Sequence, residues 1–172
     1  MSLLSRIIYR SRQFQRALRS PKAPVSDTIL LPFLSPSQIV LFRRMHFFEQ
    51  AHAFKVLQSL RQAGHTDPDL LAAALLHDVG KILAPLSLLD RVLVVVGQRL
   101  FPRAARRWGM GGTARGLRRP FVTAVQHPSW GADLASAAGA SARTCELIRC
   151  HQDHAASGDL LLAALQGVDD ES

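Results

Sequence analysis

The chain has 172 residues, 48% of them hydrophobic, two cysteines and a formal net charge of +8. That length suits one globular domain with a core large enough to need no staple, and the composition excludes an intrinsically disordered chain. Cys145 and Cys150, five residues apart, fit neither a CxxC redox pair nor a zinc-finger spacing. They read as two small buried apolar residues in a reducing, cytoplasmic setting.

The opening stretch, MSLLSRIIYRSRQF, holds no apolar core long enough for a secretion signal. Leu3, Ile7, Phe14 and Leu18 recur near helical spacing with Arg6, Arg10, Arg12 and Arg16 between them, which predicts an amphipathic basic helix. A second acid-free stretch, over 91–132, carries eight arginines. Fields of this sign attract phosphates, nucleic acid or an anionic membrane surface, and they equally suit a solvated face. The expected division is a basic helix and linker over 1–34, then a helical domain over 35–172.

Within that domain, Ser35-Pro36 opens a helix as N-cap and first helical position. A second helix is expected over 46–63, closed by Gly64, with His52 on the same face as Phe48, Val56 and Leu60. Asp67-Pro68 starts an apolar helix, LLAAALL, that runs into His77-Asp78 and breaks at Gly80. The valines at 92 and 94–96 would suit a strand, but no second strand pattern exists to pair with them. The span 86–100 is therefore read as a buried helix, and Pro85, Asp90, Arg91 and Arg99 argue against a membrane span there.

The span 108–119 reads as a Gly/Arg-rich loop whose GMGG is no phosphate loop, since no GK[ST] follows. A short helix is expected to end at His127, with Pro128 starting another that Gly139 stops. Ser141 caps a helix in which Leu147 and Ile148 share a face with His151. The last helix, over 159–170, aligns Leu162, Leu165 and Asp169 on one side. The whole is a single compact all-α domain.

Six inward-facing polar residues stand out: His52, His77, Asp78, His127, His151 and Asp169. Imidazole and carboxylate together suit a divalent transition metal such as Fe, Mn, Zn or Ni. The set exceeds what one tetrahedral ion needs, so it fits one octahedral ion or two ions bridged by a carboxylate. A paired site holds both the attacking water and the departing oxygen of a phosphoester. His46, His65 and His154 lie in loops or at helix ends, with no argument for facing inward.

The order His52, His77-Asp78, Asp169 resembles the HD superfamily of metal-dependent phosphohydrolases, an all-α fold. The run HPSWGADL from His127, followed by IRCH at 148–151, is similar to the segment supplying the third and fourth histidines in its two-metal members. The resemblance implies that His52, His77, Asp78 and Asp169 hold a first ion. Asp78 would bridge to a second ion completed by His127 and His151. Lys81 resembles the lysine of the HDxGK variant, near the substrate phosphate. The implied activity is hydrolysis of a phosphomono- or diester, a nucleotide or another phosphorylated small molecule, by water activated on the metal. Asp78 and Lys81 would be its catalytic groups.

The chain also departs from the pattern. No GYP follows Lys81, which excludes the cyclic-di-GMP phosphodiesterase branch. Lys81-Ile82 stands where the deoxynucleotidase and guanosine tetraphosphate hydrolase branches carry acids, and His151-Gln152 replaces a histidine pair. Arg115, Arg118 and Arg119, just before the helix that delivers His127, are candidates to clamp a substrate phosphate. Two readings from other classes remain: a regulatory or nucleic-acid-binding HD module with a structural metal, and a di-iron oxygenase.

Overall fold

The computed structural model describes residues 25–110, 113–153 and 158–171, and the basic helix expected before residue 25 lies outside them. Nine α-helices and two 3-10 turns make up the described residues, with no strand among them. In chain order the helices are α1 (Asp27–Leu30), α2 (Pro36–Arg43), α3 (Phe47–Gln62), α4 (Pro68–Leu76), α5 (Leu88–Leu100), α6 (Pro102–Gly109), α7 (Arg119–Ala137), α8 (Ala142–Cys150) and α9 (Leu160–Glu171). The 3-10 turns are Val79–Leu83, after α4, and Gly116–Arg118, before α7.

The core is built around α4. Pro68 presets its first turn, and the Asp67 carboxylate accepts the Leu70 backbone N–H at 2.9 Å, satisfying a donor that the helix start leaves orphaned. Every residue from Leu70 to Leu76 is buried, so the helix is apolar on all faces and needs neighbours all round. Those neighbours are α3, α8 and α9. Removing the cap by Asp67→Ala should cost about 1 kcal/mol. A lower urea midpoint with an unchanged slope would record it.

Other expected signals are present. Ser35 and Gln38 form a reciprocal capping box at α2, and Ser141 accepts the Thr144 N–H at 2.9 Å at α8. Gly64 and Gly139 end α3 and α7 at φ of 89° and 79°, a backbone region that costs glycine little. Leu30 and Leu34, expected in a linker, are 0% and 3% exposed within the main core.

Four expectations change. The helix α7 runs unbroken through Pro128, with no boundary at His127. A proline removes one backbone donor, yet α7 is clamped between the first 3-10 turn and α8 and buries Val122, Ala132 and Ala135. That burial outweighs one missing bond. Next, α5 is helical as expected but not buried: Val94 is its buried hydrophobic residue, packed on Ala105 and Phe121, while Leu89, Val92 and Val96 are exposed. Consecutive valines fan around a helix, so a neighbour on one side covers only one stripe of them.

The start of the expected 108–119 loop is helical, since α6 carries Trp108 and Gly109 at its end. Trp108 stands edge-on to Phe121, with ring centroids 5.4 Å apart. Finally, Cys145 and Cys150 are half-buried rather than buried, and free. No helix among the described residues is long and apolar enough to cross a membrane.

Candidate metal centre

Five helices and the start of one turn deliver the six predicted residues to a single place. His52 comes from the middle of α3, His77 caps the C-terminus of α4 and Asp78 follows it. His127 lies mid-way along α7, His151 caps the C-terminus of α8 and Asp169 sits near the end of α9. His77, Asp78, His127 and His151 are buried, and His52 and Asp169 are half-buried.

The chain does not break at Gly80. It tightens after Leu76 into the Val79–Leu83 turn, and Gly80 there has no left-handed backbone. Its role is close approach. A Cβ at Gly80 would stand 2.0 Å from the His127 carbonyl oxygen and 2.7 Å from the Gly131 nitrogen. The absence of a side chain lets the His77-Asp78 turn lie directly on the backbone of α7, beside His127.

The ring orientations decide the chemistry. His77 Nδ1 is 3.0 Å from the Ala74 carbonyl, His127 Nδ1 is 3.0 Å from that of Thr123, and His151 Nδ1 is 2.7 Å from that of Ile148. A carbonyl only accepts, so each Nδ1 carries a hydrogen and each neutral ring turns the Nε2 lone pair inward. His127 Nε2 and His151 Nε2 are buried without a hydrogen-bond partner. His77 Nε2 lies 3.3 Å from His52 Nε2, 3.4 Å from Asp169 Oδ1 and 3.8 Å from Asp78 Oδ2. His127 Nε2 lies 3.2 Å from Asp78 Oδ1, and His52 Nε2 lies 2.7 Å from Asp169 Oδ1.

Apart from the His52–Asp169 hydrogen bond, acceptors thus crowd against acceptors at a buried point, an arrangement that repels unless cations occupy it. Two sets of three donors fall within 4.8 Å of one another: His52, His77 and Asp78, and then Asp78, His127 and His151. Asp78 belongs to both. This donor set, with Nδ1–H bonds to main-chain carbonyls behind it, fits divalent transition ions.

A profile of the HD domain matches residues 50–166, more than half of the chain. The chain belongs to the HD domain family. No curated protein and no solved structure matches it. The matched span of this HD domain begins two positions before His52 and ends three before Asp169.

Electrostatics separate the six residues. Burial alone would raise the Asp78 carboxyl, but Lys81, His77 and His127 together hold it well below the usual carboxylate range. Asp169 is likewise opposed by burial and still lowered, through the hydrogen bond from His52 and through His77 beside it. Burial, and then the neighbouring His77 and His127, push His151 down to about 3, and burial also lowers His127. His77 goes the other way: burial opposes its charge, but Asp78 and Asp169 outweigh burial and raise it. The anions stay charged and two imidazoles stay neutral, as ligands must.

Lys81 does not point into solvent. Its Nζ donates to Asp78 Oδ2 at 2.5 Å, and both residues line a cleft of about 180 Å³. The cleft's other cations are Arg44 and Arg91. The arginines expected at a substrate phosphate lie elsewhere. Arg115 and Arg118 are exposed and do not line this cleft, while the Arg119 guanidinium donates to the Pro85 carbonyl and stands 4.0 Å from Asp90.

Sequence reasoning missed Glu49. It lines the same cleft, is 5% exposed, and pairs with Arg91 through Oε1. The periodicity held the signal, because Glu49 shares a face with Ala53, Val56 and Leu60, all buried in α3. Gln166 was also unmarked. Its amide donates to the carbonyls of Cys150 and Asp153 at 3.1 and 2.7 Å, tying α9 to the end of α8 where His151 sits.

Proposed function

We propose that this HD domain is a metal-dependent phosphohydrolase that hydrolyses a phosphomono- or diester at the His/Asp centre. The single observation carrying the reading is the buried convergence of Nε2 lone pairs on Asp78, each ring locked from behind by a main-chain carbonyl. His52, His77, Asp78 and Asp169 would hold one ion, and Asp78, His127 and His151 a second. When bound, such ions supply Lewis acidity toward a water and a phosphoryl oxygen.

The rest of the chemistry belongs to the chain. Asp78, kept ionised in the presence of Lys81, orients the attacking water by accepting its hydrogen bond. Lys81 pairs with Asp78 in the cleft wall, where its ammonium offsets charge growing on the phosphoryl oxygens. His77, His127 and His151, each no more than 3% exposed, exclude bulk water from the other side.

Metal analysis of the purified protein, joined to a screen of phosphomonoesters and phosphodiesters, tests this reading. The expected result is one or two transition ions per chain and hydrolysis in at least one class. Retention of both metal and hydrolysis by His77→Ala and Asp78→Ala proteins would refute it. Chelation should lower the melting temperature as well, by at least about 2 °C, because binding energy to the folded state is withdrawn.

A further inference from the structure

The cleft beside Asp78 and Lys81 contains a buried group that the hydrolytic reading does not use. Glu49 Oε1 is satisfied by Arg91, but Glu49 Oε2 is buried with no hydrogen-bond partner. His46 Nδ1 stands 3.8 Å from Oε2, beyond hydrogen-bond range. That nitrogen is also the acceptor for the Phe48 backbone N–H, so it has no hydrogen to give. A buried carboxylate oxygen left alone costs free energy, and a donor brought by a ligand recovers it.

The cleft's size sets the scale of that ligand. About 180 Å³ is below the roughly 300–1,000 Å³ of sites for drug-sized ligands, which scales the cleft to a group the size of a pentose. Its walls include Met45 and Ile82 beside the polar residues. Arg91 already balances the Glu49 charge, which favours a neutral hydroxyl over an ammonium as the donor.

We infer that the substrate is a small phosphomonoester with a hydroxylated leaving group, and that Glu49 Oε2 accepts a hydrogen bond from one of its hydroxyls. The inference rests on the phosphohydrolase reading and narrows it. In the reaction a P–O bond forms to water as the P–O bond to the alcohol breaks, and a proton from that water ends on the released alcohol. Glu49 touches the leaving group and positions it with the phosphate toward Asp78 and Lys81.

The test uses the full chain loaded with Mn²⁺ and two probes, ribose 5-phosphate and cyclopentylmethyl phosphate, which share ring size but not hydroxyls. The wild-type protein should favour ribose 5-phosphate by about 10- to 100-fold in kcat/KM, the effect of leaving one buried polar group unpaired. Glu49→Leu should bring the ratio close to one. Equal use of both probes by the wild type overturns the proposal without any variant, which keeps it testable if Glu49→Leu does not fold. So does a ratio that survives in a folded Glu49→Leu protein, since a merely structural role lowers both probes together. Hydrolysis of neither probe, with other phosphoesters still cleaved, also overturns it. Cleavage of no phosphoester at all removes the phosphohydrolase reading itself, and this inference with it.

Discussion

An Asp78→Asn protein should keep its fold and lose its metal, together with at least about 10³-fold in phosphoester hydrolysis, since a catalytic ion supplies several kcal/mol and each 1.36 kcal/mol is tenfold in rate. Asp78 is the one residue common to both sets of converging donors. Asparagine preserves its shape and its Oδ1, but the charge that faces His77, His127 and Lys81 is gone. Half-buried Lys81 can turn toward solvent, so the fold tolerates the change. Metal content, hydrolysis rate and thermal melting measured on one preparation separate loss of the ion from loss of structure. An Asp78→Asn protein with full metal content would contradict the account.

Gly80→Ala should destabilise the protein by about 3 kcal/mol or more, at or beyond the upper end of ordinary overpacking. The added carbon would lie 2.0 Å from the His127 carbonyl oxygen, and backbone cannot swing aside as a side chain can. The first 3-10 turn and α7 must separate, which carries Asp78 away from His127. Against a total stability of about 5–15 kcal/mol the loss is large. Gly167→Ala is the matched control. It lies within α9 with nothing within 4 Å of the added carbon, and helix propensity predicts a gain of up to about 1 kcal/mol. Denaturant unfolding of the two variants should shift in opposite directions. Similar small shifts would mean that the close approach at Gly80 is unimportant.

The contrast between these glycines shows where sequence reasoning reaches its limit. Gly64 and Gly139 announce themselves locally, each after an apolar-periodic run. Gly80 also follows such a run and looks like the same signal, but its cause lies 47 positions away at His127. The candidate metal centre was legible for a related reason. An apolar helix ending in His77-Asp78 has to answer for its polar end, and helical periodicity on four other elements aims His52, His127, His151 and Asp169 inward. Periodicity even separates Asp169, 2.7 Å from His52, from exposed Asp170.

What periodicity cannot supply is the number of neighbours a helix has. The apolar run of α5 looks buried, but only one of its sides meets α6 and α7, so most of its valines stay exposed. Pro128 looks like a boundary because the 3-10 turn that packs against α7 comes from far earlier in the chain. The arginine-rich PRAARRWG of α6 carries too few apolar residues to read as a helix. Glu49 went unmarked because an acid in the first turn of a helix is usually a solvated complement to the dipole. Its burial beside Arg91 is a tertiary fact.

The most direct test is phosphoester hydrolysis by chelator-stripped protein before and after adding back Mn²⁺, Fe²⁺, Zn²⁺ or Ni²⁺. The account predicts no hydrolysis by the stripped protein, recovery with at least one of these ions, and no recovery in the Asp78→Asn protein. Hydrolysis that persists undiminished after the metal is gone, or that returns equally in Asp78→Asn, would contradict it.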